Sequence, residues 1–320
     1  YQIESMLAQS QRALEYLNPD NLSSRATANW MKGYAYFFMG NRVAARQALN
    51  EAIALSHAAG SVFITITATI ALGNVEEAEN QLQQAFHAYQ RAAQLVGDQP
   101  LQVIYQEAYQ GLARIYYEWN DLDAAERYGR QSLDCALMYD AVIDRFVICK
   151  VFLARLKLAR GDARGAAEIL AEADQTARQR NFVLRIPEVA AAQAFVLISQ
   201  KNLTAAAQLV EAQEIPASRA RVLLAQENPS AALAILEPMR LQMEARNLQD
   251  ERLKLMTLQS VAHHANGEED KALQTLSAAL ALAEPPKEWG RRHRPARTPL
   301  PFGCLWVWKA RSMSHTLQQE

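Results

Sequence analysis

Catalytic signatures are missing from this sequence. It has no GxxxxGK[ST] phosphate loop, no GxSxG nucleophile elbow and no HExxH zinc pair, so the chain is expected not to be an enzyme and to carry no cofactor. Cysteine is scarce as well. Cys135, Cys149 and Cys304 contain no CxxC pair and cannot all bridge one another, which fits a reducing, cytoplasmic setting in which thiols are simply buried. Long apolar runs are absent too: the most apolar stretch, Val62 to Leu72, is too short to span a bilayer and carries Thr65, Thr67 and Thr69. No membrane partner is expected. Neither charge sign is in excess, with 33 Lys and Arg against 34 Asp and Glu and a formal net charge of −1, so the whole chain exerts no general attraction on nucleic acid or anionic lipid. No secretory leader is visible. The chain starts at Tyr1 rather than Met, and its first helix reads as the second half of a repeat, so the sequence is expected to be a fragment of a longer protein.

What the sequence does contain is a period. A small residue returns as Ala45, Ala85, Ala125, Ala166, Ala206, Ala232 and Ala272, at intervals of 40, 40, 41, 40, 26 and 40. Three other columns move in step with it. Twelve residues earlier stand Gly33, Gly73, Ala113, Ala154, Ala194, Ala220 and Ser260; five earlier stand Gly40, Asn80, Asn120, Gly161, Lys201, Glu227 and Gly267. Seven later come Ala52, Ala92, Ser132, Ala173, Gln213, Met239 and Ala279. Small residues at matched depths let two antiparallel helices approach, and Gly or Asn between them accepts the left-handed conformation that ends a helix. Each repeat is therefore a helical hairpin, broken in the middle by its turn. The 26-residue interval predicts one shortened repeat made of two short helices, near Ala217 to Ala225 and Ser230 to Ala245.

In Gly33, Tyr36, Ala45, Leu49 and Ala52 the order small, aromatic, small, large-apolar, small resembles the tetratricopeptide pattern. That repeat has about 34 residues, so these units carry longer helices or turns. The longer unit is similar to the superhelical sensor region of MalT-like, LuxR-type ATP-dependent (STAND) bacterial transcriptional activators, as are the turns Gly161-Asp162 and Gly267-Glu268-Glu269 before Ala-rich helices. The resemblance implies an all-α, tetratricopeptide-like α-solenoid, a right-handed superhelix of about seven hairpins, forming one domain over residues 1–284. It also implies that ATP hydrolysis and DNA recognition belong to flanking domains outside this chain.

Residues 285–320 break the pattern. They hold seven Lys or Arg against two acids, five of the eleven prolines and three of the five tryptophans. Phosphate-directed Arg beside stacking Trp could bind nucleic acid, but the composition reads better as a disordered or non-native tail.

In tetratricopeptide superhelices the first helix of each hairpin lines the concave face. Carrying those offsets over gives Trp30, Tyr34 and Phe37; Asn74 and Glu77; Glu107, Gln110, Arg114 and Tyr117; then Arg155, Glu188, Phe195 and Arg221. Of these, Tyr34, Asn74, Glu77, Gln110, Arg114, Tyr117 and Arg155 form the candidate ligand- or partner-binding set. A mixture of aromatics with Arg, Asn and Glu can stack on and hydrogen-bond a sugar or a peptide. The resemblance thus points to an effector-sensing and protein-interaction region that takes a small-molecule inducer or a regulatory protein and self-associates on activation. The alternative is a stand-alone scaffold or adaptor that binds a peptide segment of a partner. No metal is expected: the adjacent pair His263-His264 projects about 100° apart on a helix, and His57 and His87 are isolated.

Overall fold

The computed structural model describes residues 2–95, 102–138 and 144–283. The tail 285–320 and the segment Gly97-Asp98-Gln99-Pro100, whose composition predicts a turn between helices, lie outside them. Every regular element in the described residues is helical. A leading helix, α1 (Gln2–Tyr16), precedes seven hairpins: α2 (Leu22–Phe38) with α3 (Arg42–Ala58), α4 (Val62–Ala78) with α5 (Leu82–Gln94), and α6 (Gln102–Glu118) with α7 (Leu122–Leu137). Then follow α8 (Arg145–Ala159) with α9 (Ala163–Gln179), α10 (Ile186–Ser199) with α11 (Leu203–Ala212), α12 (Pro216–Ala225) with α13 (Pro229–Ala245), and α14 (Gln249–Ala265) with α15 (Glu269–Ala283). The hairpins are of the tetratricopeptide kind. Both α11 and α12 have only 10 residues, which accounts for the short interval; the shortening therefore falls across two hairpins and not within one, since α13 has the full 17 residues.

The helices pack into two compact units. One holds the described residues up to Ile115 together with Arg246–Asp250, and the other holds Tyr116 to Ala245 together with the residues from Glu251 onward.

Each column of the period has a structural role. The ladder alanines from Ala45 to Ala232 are fully buried and Ala272 nearly so; their partners in the small column, Gly33 to Ser260, are buried as well. Methyl-sized side chains at these depths are what let two helices touch. The breaker column is more uniform than its residue types suggest, because all seven of its members adopt positive φ, from 57° at Asn80 to 84° at Gly161. The residue after each breaker then caps the second helix. Asn41, Asp121, Asp162 and Asn202 accept a hydrogen bond from the backbone N–H three positions on, satisfying one of the free donors at a helix start.

First and second helices differ in how they are buried. On α4, ten of 17 residues are buried, and they run round the helix instead of along one stripe, as expected of a helix enclosed on several sides. Its Thr65 and Thr69 hydroxyls donate to the carbonyls of Ser61 and Thr65, so the polar groups are satisfied internally. Second helices such as α9 bury one stripe, Ala166, Leu170, Ala173 and Ala177. Ala166, Leu170 and Ala173 of that stripe meet Val147, Val151 and Ala154 of α8 and Val189 and Val196 of α10 in one apolar cluster.

In the first unit the turn after α2 is tied to Arg246–Asp250. A Cβ on Gly40 would collide with the Arg246 carbonyl, so that position needs glycine for space as well as for φ. The buried Arg42 guanidinium lies 4.2 Å from the Phe37 ring centroid, donates to the Phe37 carbonyl at 2.6 Å and stands 3.5 Å from Asp250.

Candidate functional site

One position per hairpin organises the candidate residues: the residue that follows the small position of each first helix. In the first unit this row is Tyr34, Asn74 and Arg114; in the second it is Arg155, Phe195, Arg221 and Val261.

In the first unit, Tyr34 joins an aromatic group on α2. Its ring centroid lies 6.2 Å from Trp30, 6.5 Å from Phe37 and 5.3 Å from Phe38, against the apolar cluster around Leu49 and Val75. Asn74, Glu77 and Arg114 come together. Arg114 donates from Nε and Nη2 to the two oxygens of Glu77, both at 2.7 Å, a bidentate pair in the geometry that suits guanidinium best. Around it, Asn74 Nδ2 donates to Glu107 at 3.2 Å, and Gln110 is buried one turn before Arg114 on α6.

The centre of this group is a residue that sequence reasoning did not single out. Tyr89 is fully buried. Its hydroxyl lies 2.7 Å from both Asn74 Oδ1 and Glu77 Oε2 as acceptors and receives Arg114 Nη2 at 3.2 Å. Burial, with Glu77 close by, pushes the phenol well above its ordinary range, so it stays a donor. Burial pulls Arg114 the other way, but the adjacent Glu77 carboxylate outweighs it and holds the guanidinium charged. Tyr89 fits because glycine stands on either side: a Cβ at Gly73 or Gly111 would meet its ring at 2.7 or 2.6 Å. The signal was present in the sequence, since four residues after the ladder stand Leu49, Tyr89, Gly129, Leu170, Val210, Leu236 and Leu276. A tyrosine in a leucine column needs space and a polar partner. The glycine in that column, Gly129, is packed by Phe152 at 3.0 Å from where its Cβ would be.

In the second unit Tyr117 sets its ring edge-on to Phe152, with centroids 5.9 Å apart. Burial raises its phenol to about 12, against the opposing pull of the Arg155 charge. Arg155 is exposed. Glu188 is paired with Arg185 at 3.0 Å, and Arg221 places its guanidinium 4.8 Å from the Phe195 ring centroid.

A MalT-like TPR region model matches residues 1–287. The chain belongs to that family. Solved structures share its fold at low identity. A Rap protein complexed with competence and sporulation factor has a TM-score of 0.68 at 11% identity, covering 85% of this chain and 78% of its own. Aspartyl phosphate phosphatase F from Bacillus subtilis has 0.60 at 7%, covering 83% and 73%. The Rap conjugation gene regulator of the plasmid pLS20 in complex with the Phr* peptide has 0.58 at 13%, covering 87% and 81%. No curated protein matches the sequence.

In this MalT-like TPR region three of the described histidines have ordinary partners. His263 Nδ1 lies 2.6 Å from Glu268, His57 Nε2 lies 3.1 Å from Arg91, and His87 Nε2 lies 3.1 Å from Gln83. Among the described residues no group of three or more His, Cys, Asp or Glu is placed to hold a metal ion, and no helix is long and apolar enough to cross a membrane.

Proposed function

We propose that this chain is the effector-sensing and protein-interaction region of a bacterial LuxR-type transcriptional regulator. A small inducer or a regulatory protein is received on the first-helix face, in the cytoplasm, and ATP hydrolysis and DNA contact lie in other domains of the same protein. The observation that carries this reading is the match to the MalT-like TPR region over residues 1–287, joined to a row that places a polar or aromatic side chain at the same position of six of the seven hairpins, with Val261 in the last. A repeat whose helix-to-helix contacts are fixed by small residues is free to vary that row, and variation there selects a ligand without altering the stack. The chain does no chemistry itself. Its role is to shift an equilibrium between a resting form and one competent to self-associate, which a ligand achieves only through different affinities for the two forms.

A second reading, a peptide-binding adaptor, is supported by a different observation. Two proteins of similar fold are Rap proteins whose structures hold competence and sporulation factor and the Phr* peptide. Sedimentation of the chain with maltotriose and a panel of small sugars, alone and with candidate protein partners, separates the two. Ligand-dependent self-association supports the sensor. Tight peptide binding with no change of mass supports the adaptor and rejects the sensor.

A further inference from the structure

Most half-buried arginines of this protein have a carboxylate. Arg46 reaches Glu76 and Glu79, Arg114 reaches Glu77, Arg185 reaches Asp144 and Glu188, and Arg240 reaches Glu237 and Glu244. Arg221 does not. It is half-buried on α12, its guanidinium lies 4.8 Å from the Phe195 ring centroid on α10, and no described group hydrogen-bonds or ion-pairs with it. Arg155 on α8 is likewise without an acceptor among the described residues. The helices α8, α10 and α12 pack in that order. Arg155, Phe195 and Arg221 each follow the small residue of their helix, so the fold presents arginine, aromatic ring and arginine in sequence along one row.

The two cations act on each other. Burial first, and then the positive charge of Arg155, lower Arg221 to about 10, with Glu251 of α14 pulling the other way. Even a weakly hydrated guanidinium is costly to desolvate beside a second cation unless an anion supplies the missing partner.

We propose that Arg155, Phe195 and Arg221 form a binding site for a small doubly charged anion, a phosphate monoester or a dicarboxylate, whose charged end completes both guanidiniums while its carbon skeleton lies against Phe195. Guanidinium binds either oxyanion through parallel N–H donors, and an aromatic floor accepts the flat faces of a sugar or the methylenes of an aliphatic acid. This rests on the reading that the first-helix face receives the effector, and it names the effector's chemical class.

The test is calorimetric titration of the full chain with glucose 6-phosphate, succinate, glucose and maltotriose, repeated on Arg221→Gln, Arg155→Gln and, as a control, Lys157→Gln. Glucose 6-phosphate or succinate is expected to bind where glucose does not, and the tighter of the two identifies the class. Losing one charge-assisted pair should weaken that binding by roughly tenfold to a hundredfold in Arg221→Gln and Arg155→Gln. Lys157→Gln should bind as the parent does. Melting supplies an independent readout, because removing an unpaired cation should leave Arg221→Gln as stable as the parent or more so. Anion affinity equal in all four proteins, or none in any, overturns the site; so does a clear loss of stability in Arg221→Gln, which would mean that the cation is already compensated. Maltotriose-driven self-association unchanged in both arginine variants would reject the anionic class and leave the sensor reading standing. Anion binding without any ligand-driven association would do the reverse.

Discussion

Arginine on the first-helix row has two fates, and the difference lies in what the neighbouring repeat offers. Arg114 meets Glu77 about one repeat away in sequence and closes a group with Tyr89 and Asn74, whereas Arg221 meets the Phe195 ring and neither it nor Arg155 has an acceptor among the described residues. From sequence alone Arg114 reads as a groove residue whose removal leaves stability intact. Its bidentate pair reverses that expectation. Arg114→Ala would strand the Glu77 carboxylate beside the Tyr89 hydroxyl, and with the Arg114 side chain 34% exposed the cost should be about 1–3 kcal/mol. Urea denaturation checks this: a midpoint unchanged from the parent would show that water already carries the Glu77 charge.

At the scale of the helix, the turn between the two halves of each hairpin is specified twice. The breaker takes positive φ and the next residue caps the following helix, as in Asn120 with Asp121 and Gly161 with Asp162. Five of the seven breakers are Gly or Asn, the residues that tolerate this conformation best. Lys201 and Glu227 occupy it too, at φ of 59° and 60°, with no side chain suited to it. Relief of that strain exceeds the entropy glycine loses on folding, so Lys201→Gly should stabilise by up to about 1 kcal/mol. The expected result is a higher thermal midpoint with unchanged circular dichroism, and a lower midpoint would mean that the Lys201 stem contributes packing. This conformation was legible in the sequence because its column falls five residues before the ladder whatever residue occupies it. The caps are a finding of the structure: Asn41, Asp121, Asp162, Asn202 and Asn228, each directly after a breaker, all accept the N–H three residues on.

At the scale of the molecule, stacked hairpins are held by contacts with their neighbours, so a defect should spread by proximity along the stack. Gly111→Ala is a sharp probe. It improves helix propensity by about 1 kcal/mol, yet its methyl would lie 2.6 Å from the Tyr89 ring, which cannot withdraw without leaving Glu77 and Asn74. Net destabilisation of about 1–3 kcal/mol is expected from overpacking. Hydrogen exchange should show the largest loss of protection in α4, α5 and α6 and the least in α15. Equal loss in every helix would indicate that the whole chain unfolds as one cooperative unit.

The sequence by itself determined the all-α class and the hairpin repeat, because each follows from which positions must be small and which backbone positions must be left-handed, and both are local demands on residue type; it located the short interval but not the helices, α11 and α12, that carry it. It also placed Tyr34, Asn74, Glu77, Gln110, Arg114, Tyr117 and Arg155 on first helices. The tertiary structure alone decided which of these are occupied with one another. That depends on side chains some 40 positions apart in sequence reaching a shared point, as when the ring of Tyr89 settles between Gly73 and Gly111 and gathers Asn74, Glu77 and Arg114 around its hydroxyl. Periodicity records the spacing of helices. Whether a guanidinium finds a carboxylate or another cation is settled only by the packing between them.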